Sequence, residues 1–146
     1  MQKLTTMEAL IFFKKIPMFA DLDMEHLLLL KEISQEREYK PGDYIIKEGE
    51  YGNDAYVIVS GEVEIAKNIK GEEKVLNVLE KSDYFGEMAI IEEDHRSASC
   101  RAKTDCLLLV INGNTFKDMM KSNADISFSI LKVFSNRIRK MLNERK

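Results

Sequence analysis

The spacing of apolar positions changes twice along the chain. Up to about residue 35 it is helical. Thr5 and Glu8 have the spacing of a capping box, and Met7, Leu10 and Phe13 follow on one face. Pro17 ends that helix, and a second one is predicted from about Asp23 to Ser34, with acids near its start. From Glu36 the pattern becomes strand-like. Lys40-Pro41-Gly42-Asp43 is a turn signal. The short runs 44–46, 55–60, 63–66, 75–79, 97–101 and 106–111 then alternate with turn residues, and Asn68 to Glu72, with Gly71, reads as a hairpin loop. Helix returns over Thr115 to Lys121, with Asn114 as the expected cap. A longer helix is predicted from about Asp125 to Asn143. Its apolar stripe is Ile126, Ile130, Val133, Phe134, Ile138, Met141 and Leu142.

Helices, then strands, then helices without an intervening linker predict a single α+β domain over 1–146. Its core would be an antiparallel β-barrel or jelly roll over 36–112, with helices at 1–35 and 113–146.

Composition narrows the class. Of the 146 residues, 45% are hydrophobic and 32% charged, ordinary for a globular chain. Uncharged apolar runs such as Leu27 to Leu30 and Leu107 to Ile111 fall far short of the roughly 20 residues of a membrane span. The N-terminus lacks the order of a secretory signal, so a cytoplasmic protein is expected. Cys100 and Cys106 are too few for a disulfide framework and read as reduced, partly buried thiols. His26 and His95 read as ordinary surface or turn residues, and Gly49, Gly52 and Gly61 as turn and barrel-corner residues. From Lys132 onward six basic residues face one acid, which leaves −8 on the rest of a chain whose total is −3. An acidic body of that kind does not suit nucleic-acid binding. No P-loop, no zinc-protease motif and no nucleophile–base arrangement occurs, so no enzyme, metal or cofactor is expected.

One segment carries chemistry. Tyr84-Phe85-Gly86-Glu87-Met88-Ala89 leads through an acidic run, Glu92-Glu93-Asp94, to His95-Arg96-Ser97-Ala98-Ser99. Gly86 permits close backbone approach. A helical turn beginning at Glu87 would point free N–H groups at an anion. Arg96 can offer a planar fork to two phosphate oxygens. Glu87 would repel a phosphate but can accept from sugar hydroxyls. A ligand with one phosphate charge and a free ribose hydroxyl satisfies both. Taken alone, Arg96 suits a structural pairing with a neighbouring acid and Glu87 a plain surface position; the register with Gly86 and the strand pattern favour the ligand.

This segment resembles the phosphate-binding cassette of cyclic-nucleotide-binding domains, of the catabolite-activator and cAMP-dependent protein kinase regulatory-subunit type. Lys40-Pro41-Gly42-Asp43, Ile46 to Gly49, Tyr56 to Gly61 and the hairpin before Leu76 match in order and spacing. The resemblance implies that Glu87 binds the ribose 2′-hydroxyl and Arg96 the cyclic phosphate. Backbone N–H groups of Gly86, Ala89, Ser97 and Ala98 would complete the cradle, and Ile65, Leu76 and Met88 would line its apolar part. It implies cAMP, ahead of cGMP, as ligand, and a last helix acting as lid or dimer seam that signals to an effector. Arg137, Arg139, Phe134 and Ile138 stay open as the residue that meets the base. Three departures stand out: Ser82-Asp83 where the family often has Gly-Asp, His95 where kinase-type members often have proline, and the acidic run beside the anion site. The chain lacks the helix-turn-helix of catabolite activators, so direct DNA binding is not expected. The competing reading is a nucleotide-independent interaction domain on the same scaffold.

Overall fold

The structure is a computed structural model and describes residues 4–86 and 95–144. Two helices come first, α1 (Thr6–Lys14) and α2 (Met24–Glu32). Eight strands follow: β1 (Ser34–Tyr39), β2 (Tyr44–Ile46), β3 (Ala55–Ser60), β4 (Val63–Ile69), β5 (Glu72–Leu79), β6 (Tyr84–Phe85), β7 (Ser99–Ala102) and β8 (Cys106–Ile111). Helices α3 (Gly113–Ser122) and α4 (Ala124–Glu144) close the described chain.

The capping box at the start of α1 is present, with Thr5 Oγ1 accepting from Glu8 N and the Glu8 carboxylate accepting from Thr5 N. That exchange of hydrogen bonds holds the exposed Glu8 carboxyl below its usual range. Met7 does not share the buried face of Leu10 and Phe13: it is exposed. Asp23 caps α2 through His26 N. The cap of α3 is Asn112, accepting from Thr115 N, rather than Asn114; Asn114 instead accepts from Asn53 Nδ2.

The strands make two four-stranded antiparallel sheets, ordered β1-β8-β3-β6 and β2-β7-β4-β5. This is the jelly-roll form of the expectation, with two sheets rather than one closed barrel. The two central strands of the first sheet, β3 (AYVIVS) and β8 (CLLLVI), are covered on both faces, which is why they are nearly continuous apolar runs, whereas the edge strand β1 has no buried residue. Ala55, Val57, Leu109 and Ile111 face the helices and join Phe13, Ile16, Leu27, Phe116, Ile126 and Ile130 in one core. Tyr56, Ile58, Leu108 and Val110 face the second sheet and join Ile46, Val63, Phe85 and Ala102 in another. Sheet one is therefore a partition between a helical core and an inter-sheet core. Cys100 and Cys106 are buried thiols that form no disulfide. Burial pushes the Cys106 thiol pKa up.

The β4–β5 hairpin runs longer than the pattern suggests, since pairing continues to Ile69↔Glu72 and leaves Lys70-Gly71 as the turn. A register shift lies between Ile65 and Ala66, opposite Asn77 and Val75, so Leu76 is the extra residue of a bulge. Ser82 sits at φ 75°, where a glycine would be unstrained. That is the physical meaning of the Ser-for-Gly departure.

Candidate functional site

The site is built on the rim where the two sheets meet. Glu50 and Arg96 are tied backbone to backbone, Arg96 N donating to Glu50 O at 2.8 Å, while Gly49 N donates to Arg96 O at 2.8 Å. This fixes residue 96 beside the β2–β3 loop and turns its side chain inward. Arg96 is 9% exposed. Its Nη2 donates to the carbonyl of Asp54 at 2.9 Å and its Nη1 to the carbonyl of Gly86 at 3.2 Å. Asp54 precedes β3, and Gly86 follows β6, which pairs with β3. The guanidinium thus staples the ends of two first-sheet strands to the segment entering β7 of the second sheet.

Gly86 and Arg96, ten residues apart in the chain, are therefore brought together. Gly86 has φ 80°, and a Cβ there would lie 2.9 Å from Asp54 O and 3.2 Å from Arg96 Nη1. Both the backbone conformation and the close approach demand glycine. Gly52 has a different task from the corner role its sequence context implies. A Cβ there would meet Arg96 Nη2 at 3.2 Å and Nε at 3.3 Å, so it makes room for the guanidinium.

Ser97 is exposed and Ala98 half-buried, in the bend before β7. Lys67 Nζ donates to Ser97 O at 2.7 Å and lies 3.6 Å from Glu48, whose backbone N–H donates to Ser99 Oγ at 2.9 Å. These contacts anchor the bend to β4 and to the β2–β3 loop. Ile65 is half-buried against the inter-sheet core, whereas Leu76 is 55% exposed on the bulge. Glu87, Met88, Ala89 and the acidic run at 92–94 lie outside the described residues.

Electrostatics separate Arg96 from its neighbours. Arg96 makes no ion pair with a carboxylate among the described residues; its two side-chain hydrogen bonds go to neutral carbonyls. A buried cation held only by dipoles is suited to an anion, because both of its interactions can be kept while a charge partner is added. Tyr56 is stacked on Phe85 with ring centroids 5.0 Å apart. Burial raises the Tyr56 phenol pKa, and the Arg96 charge opposes that rise.

Three residues escaped the sequence pattern. Asp54 contributes a main-chain carbonyl, for which no side-chain signal exists. His95 stacks on Tyr51 at 3.9 Å between centroids, supporting the backbone bridge between those residues. His26 is a correction, since it is no plain surface residue. Its Nδ1 lies 3.0 Å from Asp23 and its Nε2 3.0 Å from Oδ1 of Asn123, the single residue between α3 and α4. Of the four open α4 positions, Arg137 turns to β6, and Phe134 packs against the helical core with the Arg137 guanidinium over its ring. The Arg137 guanidinium lies 4.8 Å over the Tyr84 ring and donates to its hydroxyl. Ile138 and Arg139 are exposed.

Residues 36–123 match the family model described as "Cyclic nucleotide-binding domain". The chain belongs to that family. Among its relatives, the cAMP-dependent protein kinase regulatory subunit of Schizosaccharomyces pombe is 34% identical over 113 residues, covering 77% of this chain and 27% of that protein. A cGMP-dependent protein kinase of Drosophila melanogaster is 34% identical over 118 residues, covering 78% of this chain and 12% of the kinase. This chain thus spans well under a third of the length of these relatives. Among solved structures, the regulatory domain of Toxoplasma gondii PKA with cAMP aligns with a TM-score of 0.75 at 28% identity, over 90% of this chain and 52% of the other. The catabolite activator protein of Thermus thermophilus aligns at 0.76 and 28%, over 88% and 61%. This cyclic-nucleotide-binding domain is thus of the regulatory jelly-roll type. No helix among its described residues is long and apolar enough to cross a membrane.

Proposed function

We propose that this domain is a cytoplasmic sensor that binds a cyclic nucleotide, cAMP ahead of cGMP as the candidate, on the rim between its sheets, does no chemistry on it, and signals through α4. The observation that carries the reading is the inward Arg96, which meets no carboxylate among the described residues and is held beside the glycine that opens the cassette. In this reading the phosphate meets the Arg96 fork together with the N–H groups of Gly86, Ala89, Ser97 and Ala98. Glu87 accepts from the ribose hydroxyl. Ile65, Met88 and the exposed Leu76 supply apolar cover. Kinase relatives of both cyclic-nucleotide types among the similar proteins support the ligand class and leave the base open.

Signalling has a route in the contacts already described. Arg137 of α4 lies on Tyr84, two residues before Gly86. A ligand that shifts the Gly86 corner therefore acts on the strand that α4 touches, and shifts the helix to the extent that it binds one helix position better than another. The receiver of the signal is a second copy of the chain or an effector at the exposed face of α4.

The competing reading, a nucleotide-independent interaction domain, is favoured by one observation: two donors of Arg96 are already engaged by carbonyls, as a structural staple would have them. Calorimetry with cAMP and cGMP decides between them. The sensor binds at least one of the two, and Arg96→Ala weakens that binding by about 30- to 150-fold, from loss of a charge-assisted pair worth about 2–3 kcal/mol. A scaffold without a ligand gives no heat with either nucleotide.

A further inference from the structure

Three of the described helices are capped alike. Thr5, Asp23 and Asn112 each stand just before α1, α2 and α3, and the side chain of each accepts from an N–H of the first turn. Asn123 holds the same place before α4. Its backbone is extended, at φ −135° and ψ 100°, and its carbonyl accepts from Ser127 N, the first bond of the helix. Asparagine is among the best residues for that place. Yet its side chain turns the other way. Oδ1 lies 3.0 Å from Nε2 of His26, 97 residues back in the chain, and Nδ2 donates to Met119 O at 3.3 Å. Among the described residues no first-turn N–H of α4 donates to that Oδ1.

The ring that Asn123 meets has an acceptor at each nitrogen. His26 Nδ1 lies 3.0 Å from Asp23 Oδ1, and the His26 side chain is 13% exposed. The bond to Met119 fixes which end of the Asn123 amide faces Nε2, because turning the amide over would set Oδ1 against the Met119 carbonyl. Both ring nitrogens thus face oxygens that only accept. A neutral imidazole has one N–H and satisfies one of them; the imidazolium has two and satisfies both. With one N–H the charged Asp23 is the stronger claimant, which leaves a nitrogen lone pair against Asn123 Oδ1. The other charges on the elements that meet here are the exposed Glu25 of α2, Lys121 in the last turn of α3 and Asp125 in the first turn of α4, and the Asp21–Lys132 pair. Among the described residues Asp23 is the sole carboxylate within ion-pair distance of the ring. We infer that Asn123 is a two-position latch thrown by the proton on His26. With the imidazole charged, Asn123 ties the root of α4 to α2. With the imidazole neutral, it is released to cap α4 as the other three helices are capped. The same Oδ1 is satisfied in both arrangements, and the proton binds the tied one better, so falling pH favours it. The change falls where imidazoles ordinarily exchange their charge, between about pH 5 and 8.

The latch needs no nucleotide and stands apart from the proposed function. It is tested on the full chain without nucleotide, by nuclear magnetic resonance of labelled protein titrated between about pH 8 and 5. The His26 ring signals, the Asn123 side-chain amide and the backbone amide of Ile126, the third residue of α4, should move along one single-proton curve. In His26→Gln, which has no charge to change, the movement at Asn123 and Ile126 should be lost. In His95→Gln, which removes the other histidine of the chain, it should be unchanged. A first turn of α4 that does not titrate, or that titrates undiminished in His26→Gln, overturns the inference. The parent decides even if His26→Gln fails to fold, since separate midpoints for the His26 ring and the Ile126 amide overturn it as well.

Discussion

Arg96 precedes β7 and Arg101, five residues on, lies within it, and the two live in opposite environments. Arg101 lies among carboxylates, with Nη2 2.8 Å from Glu64 and Nη1 2.6 Å from Glu73, and its guanidinium near the Tyr44 ring. The Glu64 hydrogen bond raises its pKa further above an already high value. Arg96 lies deeper, with carbonyls for company and no described carboxylate. The first cation is neutralised where it stands and ties three strands of the second sheet together. The second is oriented, and no carboxylate among the described residues neutralises it. Desolvating a cation costs stability unless a charge partner is supplied. Among the described residues Arg101 has two such partners and Arg96 none; in the proposed reading the nucleotide phosphate is the partner of Arg96.

The strongest way to break that contrast is to delete each side chain in turn and titrate cAMP. The Arg96→Ala loss of about 30- to 150-fold should have no counterpart in Arg101→Ala, which should stay within about twofold because its charge is already paired. Equal losses in the two variants would mean that only the general field matters. Gly86→Ala comes next. It adds a side chain at φ 80° and 2.9 Å from Asp54 O, so the domain should lose about 1–3 kcal/mol by chemical denaturation. Nucleotide affinity should fall with it, because the Arg96 fork is displaced. Gly71→Ala shares the positive φ, but nothing lies within 4 Å of its Cβ. It should cost stability alone, and so separates backbone strain from crowding at Arg96.

How much of this was legible without coordinates depends on what each residue binds. The capping box of α1 and the strands at 44–46, 55–60 and 106–111 were readable because their partners are local or their apolar runs unbroken. Arg96 and Gly86 were readable as a pair because they flank one segment. The loop position of Gly52 is legible, but nothing in its neighbours says that a guanidinium from residue 96 lies against it. His26 was misread because its partner, Asn123, is 97 residues away. In α4 the stripe predicted one buried face. Periodicity cannot tell where the body ends, and Ile138, Met141 and Leu142 run past it into the open.

A smaller test takes Arg101 on its own ground. Its two carboxylate contacts lie partly exposed, with 28% of its side chain accessible. Arg101→Ala should therefore cost no more than about 1 kcal/mol of stability, and part of even that should vanish at high salt. A salt-independent loss of several kcal/mol would show that the Glu64–Arg101–Glu73 set behaves as a buried network.

The finest probe reads the Arg96 charge through Tyr56. Burial raises that phenol's pKa, and the guanidinium pulls against the rise. Removing the charge with Arg96→Ala should push ionisation of Tyr56 to still higher pH, whereas Arg101→Ala should leave it unmoved. Tyrosinate absorbance, with Tyr56→Phe subtracted to isolate one of five tyrosines, measures it. Linkage fixes the sign of the accompanying stability change. A phenol whose pKa is raised on folding contributes stability that is complete below its unfolded value of about 10 and is lost as pH climbs through the folded one. The alkaline loss should thus be larger in Arg96→Ala than in the parent and absent in Tyr56→Phe. A bound nucleotide supplies a negative charge to the same guanidinium, so saturating cAMP should move Tyr56 in the same direction as deleting Arg96. A Tyr56 titration that moves in Arg96→Ala but not with saturating cAMP would mean that the ligand's phosphate never reaches that cation.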